Sequence, residues 1–258
     1  MPEIPLVLIQ GYPFDHTMWF STIAALGTRA RVLAPDLPGF GRNPPHPDKS
    51  PSMKYYAEYL AKELAASGFK KAVLAGMSMG GYVALAFAEK FPNQLAGLGL
   101  ISSQAEADTT EIKNARMETI RKIRASGVSV VTEAIIPKMF AENADVQLRK
   151  YPLDGAAKAG PDGLCWALEA MAKRPDRTDL VKTLTCPVLM LHGAEDRIVP
   201  IAKTRALAEQ CRNVIFQEIP RAGHATPLEN PDAVANGLIR LMNVCRELEE
   251  RKSAAVSS

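Results

Sequence analysis

Residues 71–92 read KAVLAGMSMGGYVALAFAEKFP, and this stretch decides the fold. Lys71 to Ala75 is a short apolar run of strand length, bounded by Gly76. Met79 to Phe91 repeats its apolar residues at helical spacing and is stopped by Pro92. Between strand and helix lies Gly76-Met77-Ser78-Met79-Gly80, a G-x-S-x-G turn. A turn that sharp needs small neighbours, which Gly76 and Gly80 supply, and Gly81 lets the helix approach the sheet closely. The geometry exposes the Ser78 hydroxyl at the carboxyl end of a strand, where open α/β sheets bind their ligands. It also sets Ser78 beside a helix N-terminus, whose free N–H groups favour developing negative charge.

The same rhythm runs outward in both directions. Pro5 to Gln10, Arg31 to Pro35, Lys71 to Ala75, Ala96 to Ser102, Pro187 to His192 and Val214 to Ile219 make six strand-length runs. Several are apolar on both faces, as parallel strands covered by helices on each side must be. Helix-period segments lie between them at Met53 to Ser67, Met79 to Phe91, Ile201 to Cys211 and Pro231 to Glu249. Asn230-Pro231 opens the last of these, with Asn at the N-cap and Pro at the first helical position. Repeated strand–helix units predict an α/β fold with a mostly parallel sheet and helices on both faces.

Residues 111–179 break the rhythm. They carry helical patterns with charged faces and no buried strand, and a structureless loop of that length is improbable. An inserted helical cap is expected there, with residues 1–110 and 180–250 forming the core. Residues 251–258 are small and polar and are expected to be a disordered tail.

Composition narrows the function. Of 258 residues 47% are hydrophobic and 23% charged, and 31 basic residues against 28 acidic leave a net charge of +3. That balance, with no long Lys/Arg run, argues against nucleic acid as a partner. Cys165, Cys186, Cys211 and Cys245 form no CxxC pair and have no histidine at metal-ligand spacing, so neither a disulfide scaffold nor a metal site is expected. No apolar run approaches the ~20 residues that span a bilayer, and the start shows no signal-peptide pattern, so no membrane partner and a cytoplasmic location are expected.

A serine hydroxyl needs a base, usually a histidine oriented by a carboxylate. Among His16, His46, His192 and His224, only His224 follows the last strand in a loop on the same sheet edge as Ser78. His46 lies among prolines in a surface loop, His192 ends a strand as a structural hydrogen-bonding residue, and His16 lies in a different loop near the expected pocket mouth. Asp196, in His192-Gly193-Ala194-Glu195-Asp196, follows the intervening strand, with Glu195 its nearest competitor. The order Ser78, Asp196, His224 is the Ser…acid…His order of one particular hydrolase fold.

With these residues in hand the chain resembles the α/β-hydrolase superfamily, over about residues 4–247. Asp36-Leu37-Pro38-Gly39-Phe40-Gly41-Arg42 is similar to the family's D-x-P-G-x-G-x-S loop, with Asn43 in place of the final serine. Gly76 to Gly81 looks like the elbow of small capped esterases and lactonases. The resemblance implies an oxyanion hole made by the backbone N–H groups of Met79 and Tyr12, with Gln10 standing where relatives carry a histidine. A Gln amide offers both a donor and an acceptor, so that loop is expected to keep its shape. Relatives also place two antiparallel strands before the segment matching Pro5 to Gln10, whereas only Met1 to Ile4 precede it here, so either a smaller sheet or a trimmed start is expected, with Arg31 to Pro35 at or near a sheet edge.

The cap is expected to supply apolar pocket walls through Met139, Phe140 and Trp166, with Trp19 and Met77 adding to them from below. The resemblance implies a serine hydrolase acting on a small or medium, mostly apolar carboxylic ester, without a cofactor, as a monomer or homodimer. Enol-lactone hydrolysis, carbon–carbon bond hydrolysis and perhydrolysis stay open with the same three residues, as does a non-catalytic receptor. Dehalogenase and epoxide hydrolase relatives carry an aspartate where this chain has Ser78.

Overall fold

The computed structural model describes residues 4–46 and 48–256. In chain order its elements are β1 (Leu6–Ile9), α1 (Phe20–Leu26), β2 (Val32–Leu33), α2 (Met53–Ala66), β3 (Ala72–Met77), α3 (Met79–Lys90) and β4 (Leu95–Ile101). There follow α4 (Thr110–Ser126), α5 (Ser129–Ala134), α6 (Ile136–Met139), α7 (Lys150–Ala172), α8 (Thr178–Thr183), β5 (Val188–Gly193), α9 (Ile201–Ala208), β6 (Val214–Ile219), α10 (Thr226–Glu229) and α11 (Pro231–Val256). All six strands pair parallel in the order β2-β1-β3-β4-β5-β6. The two-residue β2 lies at the edge, where the sequence sets it.

Alternation along the strands divides the core in two. Val7, Ile9, Leu74, Leu98, Leu100, Val188 and Met190 face one side, against Tyr56 and Leu60 of α2 and Val83 and Phe87 of α3. Leu6, Leu8, Val73, Ala75, Leu189 and Leu191 face the other, against Leu26 of α1 and Val234, Leu238 and Leu241 of α11. A parallel sheet buried on both faces requires continuous apolar strands of this kind. The helices start where their caps dictate: Ser52 Oγ accepts the Tyr55 N–H at 3.1 Å, and Asn230 Oδ1 accepts the Ala233 N–H at 3.1 Å.

The expected disordered tail is corrected in part. The last helix continues through Val256 rather than stopping at Glu249, because Lys252 pairs with Glu249 one turn back and Ala254 to Val256 suit a helix. Ser257 and Ser258 lie outside the described residues. Outside the insertion, the elements beyond the sequence expectation are α1, α10 and the 3-10 turns at His16–Trp19, Gly27–Arg29 and Pro92–Gln94. No helix among the described residues is long and apolar enough to cross a membrane.

Between β4 and β5 the only regular elements are helices, from Thr110 to Thr183, joined by short loops and a 3-10 turn at Val146–Arg149. α7 breaks at Gly160, whose φ of +61° admits the turn, just before Pro161. Glycines mark three of the loops at which this insertion meets the core. A Cβ on Gly155 would lie 2.3 Å from the Pro13 carbonyl, one on Gly163 would lie 2.1 Å from the Gly39 carbonyl, and one on Gly223 would lie 2.6 Å from the Ala141 nitrogen. The loops after β1, β2 and β6 thus pack directly on the inserted helices, at the carboxyl edge of the sheet.

Candidate active site

Ser78 sits between β3 and α3 with φ +51° and ψ −114°, a conformation that costs of order 1–3 kcal/mol for a non-glycine residue. The surroundings hold it there. Its N–H donates to the Ile101 carbonyl at 2.9 Å, and its own carbonyl accepts from Gly81 N–H at 2.9 Å and from Ser103 Oγ at 2.8 Å. Gly76 and Gly80 are required at the turn: a Cβ on Gly76 would lie 2.1 Å from the Gly80 carbonyl, and one on Gly80 would lie 2.3 Å from the Ile9 carbonyl. Ser78 itself is half-buried, open on one side.

His224 lies in the loop between β6 and α10, nearly fully buried, with Nε2 2.9 Å from Ser78 Oγ. Its Nδ1 meets Asp196 Oδ2 at 2.8 Å. Asp196 Oδ1 accepts the backbone N–H groups of Ile198 and Val199 at 2.8 and 2.9 Å. Burial pushes the Asp196 carboxyl pKa up, but the charge of His224 and hydrogen bonds from His192, His224 and Val199 outweigh it and hold the group ionised, well below the usual carboxylate range. Glu195, the competing acid, instead accepts the Glu142 N–H at 3.3 Å. The structure therefore brings together the three residues that the sequence singles out.

Met79 opens α3, so its N–H has no intrahelical partner. Across from it, the loop after β1 runs close to the elbow: a Cβ on Gly11 would lie 3.4 Å from Ser78 Cβ. Gln10 is fully buried, and in the amide orientation that satisfies both groups it donates to the Pro35 carbonyl at 3.2 Å and accepts the Leu37 N–H at 2.9 Å. The next loop is wound around Asp36, which accepts from His16 N and Arg42 N, while Asn43 Nδ2 donates to the Asp36 carbonyl at 3.0 Å. His16 is thereby committed to Asp36 through Nδ1 at 2.8 Å, and His46 leans edge-on against Tyr55.

The expected pocket walls lie in two apolar clusters. Trp19 and Met77 are fully buried and Met139 and Phe140 nearly so, all in one apolar cluster that packs the inserted segment onto the core. Trp166 belongs to the opposite cluster, edge-on to Tyr55 and Tyr56 with centroids 5.4 and 4.9 Å away. Apolar type alone does not separate a pocket wall from core filler, and all five pack in these clusters.

Glu229 is a member of the site's surroundings that sequence reasoning missed. It accepts the Gly223 N–H at 2.8 Å and the Ala141 N–H at 2.8 Å, so one carboxylate joins the His224 loop to the inserted segment. Burial raises its pKa, against its two backbone donors, and the nearby charges of Glu195 and Asp196 raise it further. Its only sequence signal was a carboxylate five residues after His224.

A strained serine elbow, a histidine loop and a buried acid on one edge of a six-stranded parallel sheet define a hydrolase of the α/β type. The chain belongs to this family: the Alpha/beta hydrolase family model matches residues 6–236. Among solved structures it is similar to a thermophilic esterase from Thermogutta terrifontis, in a malate-bound structure, at 35% identity over 94% of this chain and 90% of that one, with a TM-score of 0.89. It is also similar to the pimeloyl-[acyl-carrier protein] methyl ester esterase of Aromatoleum aromaticum, 28% identical over 89% of this chain and 94% of that protein. The enol-lactonase of Burkholderia xenovorans LB400 shares the fold, at 22% identity and a TM-score of 0.79, covering 94% of this chain and 92% of that one.

Proposed function

We propose that this hydrolase cleaves a small or medium, mostly apolar carboxylic ester through an acyl-enzyme on Ser78. The observation that carries this reading is the pair of contacts from His224, 2.9 Å to Ser78 Oγ and 2.8 Å to Asp196 Oδ2. His224 Nε2 takes the Ser78 proton as Oγ attacks the ester carbonyl. The imidazolium that forms keeps its Nδ1–H on ionised Asp196, which fixes the tautomer and stabilises the charge. The Met79 and Tyr12 N–H groups receive the oxyanion, a role in which one donor is worth about 3–4 kcal/mol. His224 then returns the proton to the departing alcohol. Water attacks the acyl-enzyme by the same route in reverse, releasing the acid and restoring Ser78.

The ester preference draws on the esterases among the relatives. A fluorophosphonate probe tests the nucleophile: Ser78 is labelled in the folded protein and Ser78→Ala is not. A panel of p-nitrophenyl acyl esters, lactones and ring-cleavage diketones, with and without peroxide, tests the substrate. Ester turnover that Ser78→Ala abolishes is expected. Turnover confined to the diketone, the lactone or the peroxide reaction overturns the ester assignment while leaving the nucleophile standing, and labelling without any turnover favours the receptor.

A further inference from the structure

We propose that His192 is a positioning residue for the triad acid, a second imidazole that sets how strongly Asp196 holds the proton of His224. The inference rests on the Ser78–His224–Asp196 reading above. His192 lies near the end of β5 and is fully buried. Its Nε2 is 3.0 Å from Asp196 Oδ2, the same oxygen that His224 Nδ1 meets at 2.8 Å. The Val199 carbonyl lies 2.8 Å from that Nε2 as well. A bare ring nitrogen has no favourable place between two oxygen acceptors, so Nε2 carries a proton and shares it between them.

The other ring nitrogen is also occupied. Nδ1 lies 3.1 Å from Thr204 Oγ1, whose single proton serves either this nitrogen or a backbone carbonyl. Thr204 Oγ1 is in turn 3.3 Å from the carbonyl of Ser103, and Ser103 Oγ donates to the Ser78 carbonyl. A buried chain of polar contacts therefore runs from the back of the elbow, through Ser103, Thr204 and His192, to the acid.

The consequence follows from counting donors. Asp196 has two backbone N–H groups on Oδ1 and two ring N–H groups facing Oδ2. Each donor stabilises the carboxylate and weakens its pull on the others, more so with both side chains fully shielded from water. Two acidic groups stand near the pair, Glu195 in the same turn and Glu229 on α10, and the charge of Glu229 interacts with those of Glu195 and Asp196; the basic residues of the two loops are Arg197 beside Asp196 and Arg221 before His224. The two carboxylates favour a protonated His224, and the His192 N–H on Asp196 opposes them. Without its N–H, Asp196 Oδ2 keeps His224 as its one ring donor and the imidazolium persists to higher pH.

The test follows the rate of fluorophosphonate labelling of Ser78 from about pH 5 to about pH 9, where the acid limb reports the base that must be neutral. His192→Phe removes both ring nitrogens at similar volume and is expected to move the limb up by about half to one pH unit. Labelling on the acid side then falls about three- to tenfold while the high-pH plateau stays within about twofold. His192→Gln, whose amide N–H reaches the position of Nε2–H, restores the limb. Thr204→Val, which removes the hydroxyl on Nδ1, moves it the same way by less and serves if His192→Phe does not fold. A profile that superimposes on the parent, moves down, or drops equally at every pH overturns the proposal. Failure of the parent itself to label at Ser78 is a different result, and overturns the triad reading instead.

Discussion

The two walls of the site are held by different kinds of contact. On the wall that carries Ser78, His224 and Asp196, the elbow and the acid are held by polar groups of the core, from the Ile101 carbonyl at the elbow to the backbone donors on Asp196, and the inserted segment meets the His224 loop through Glu229 and Met139. On the wall that carries the Tyr12 N–H, Gln10 ties the loop to Pro35 and Leu37, and the inserted helices add a second support from outside. α7 lays Gly155 against Pro13 and Phe14, and Lys158 Nζ reaches Asp15 Oδ2 at 2.7 Å. A nucleophile thus sits on rigid strand ends, while its proposed oxyanion partner also depends on a separately packed layer. The arrangement makes chemistry and insertion position separable by mutation.

The sharpest break is Ser78→Ala. It removes the nucleophile and leaves the inserted helices untouched, so the Tm stays within about 2 °C while ester turnover falls by about 10⁴-fold or more, as loss of a triad member does. Gly155→Ala probes the other wall. The new Cβ would lie 2.3 Å from the Pro13 carbonyl and 2.9 Å from Phe14 Cα, both of them backbone atoms or attached to backbone, so either α7 or the loop must shift. Misplacement of a catalytic group by about 1 Å can cost about 100-fold, so a loss of about 10–100-fold in kcat is expected. Overpacking should also lower stability by about 1–3 kcal/mol. Turnover at the parent rate with an equal Tm would show that α7 does not position the oxyanion loop.

This division explains what was legible in the sequence. Ser78, Asp196 and His224 declare themselves because few residue types can do proton and acyl chemistry, and strand order puts them on one edge. The six strands were legible because a sheet buried on both faces demands unbroken apolar runs, as in Leu6–Ile9 and Val188–Gly193. The pocket was not legible. An apolar side chain such as Trp19 or Trp166 has the same signature whether it lines a cavity or fills a core, and only packing decides. Glu229 was hidden for a related reason: its partners are the backbone N–H groups of Gly223 and Ala141, which carry no sequence mark. His192 was read as structural from its strand-end position, and its second acceptor became visible only with the fold of the Asp196 turn.

Lys158→Met gives a smaller effect that separates the walls by pH. Asp15 is buried, with 2% of its side chain exposed, whereas Lys158 is about half exposed at 47%. Burial works to raise the Asp15 pKa, but hydrogen bonds from Lys158 and Thr17 outweigh it, and the group titrates below its usual 3.8. A carboxyl depressed in the folded state contributes stability above the unfolded value of 3.8, and that contribution is lost as pH falls through the folded value. Removing one partner of a buried pair can cost about 3–5 kcal/mol, and solvent screening of the half-exposed lysine reduces this to about 1–2 kcal/mol. At neutral pH the variant should therefore melt about 2–6 °C below the parent. The difference should shrink as pH drops below 3.8, because protonated Asp15 no longer needs its cation. Asp196 keeps its own donors in the variant, so the acid limb of Ser78 labelling should stay where it is. A Tm gap that persists unchanged into acid would mean that Lys158 acts through packing of its aliphatic stem rather than through the ion pair.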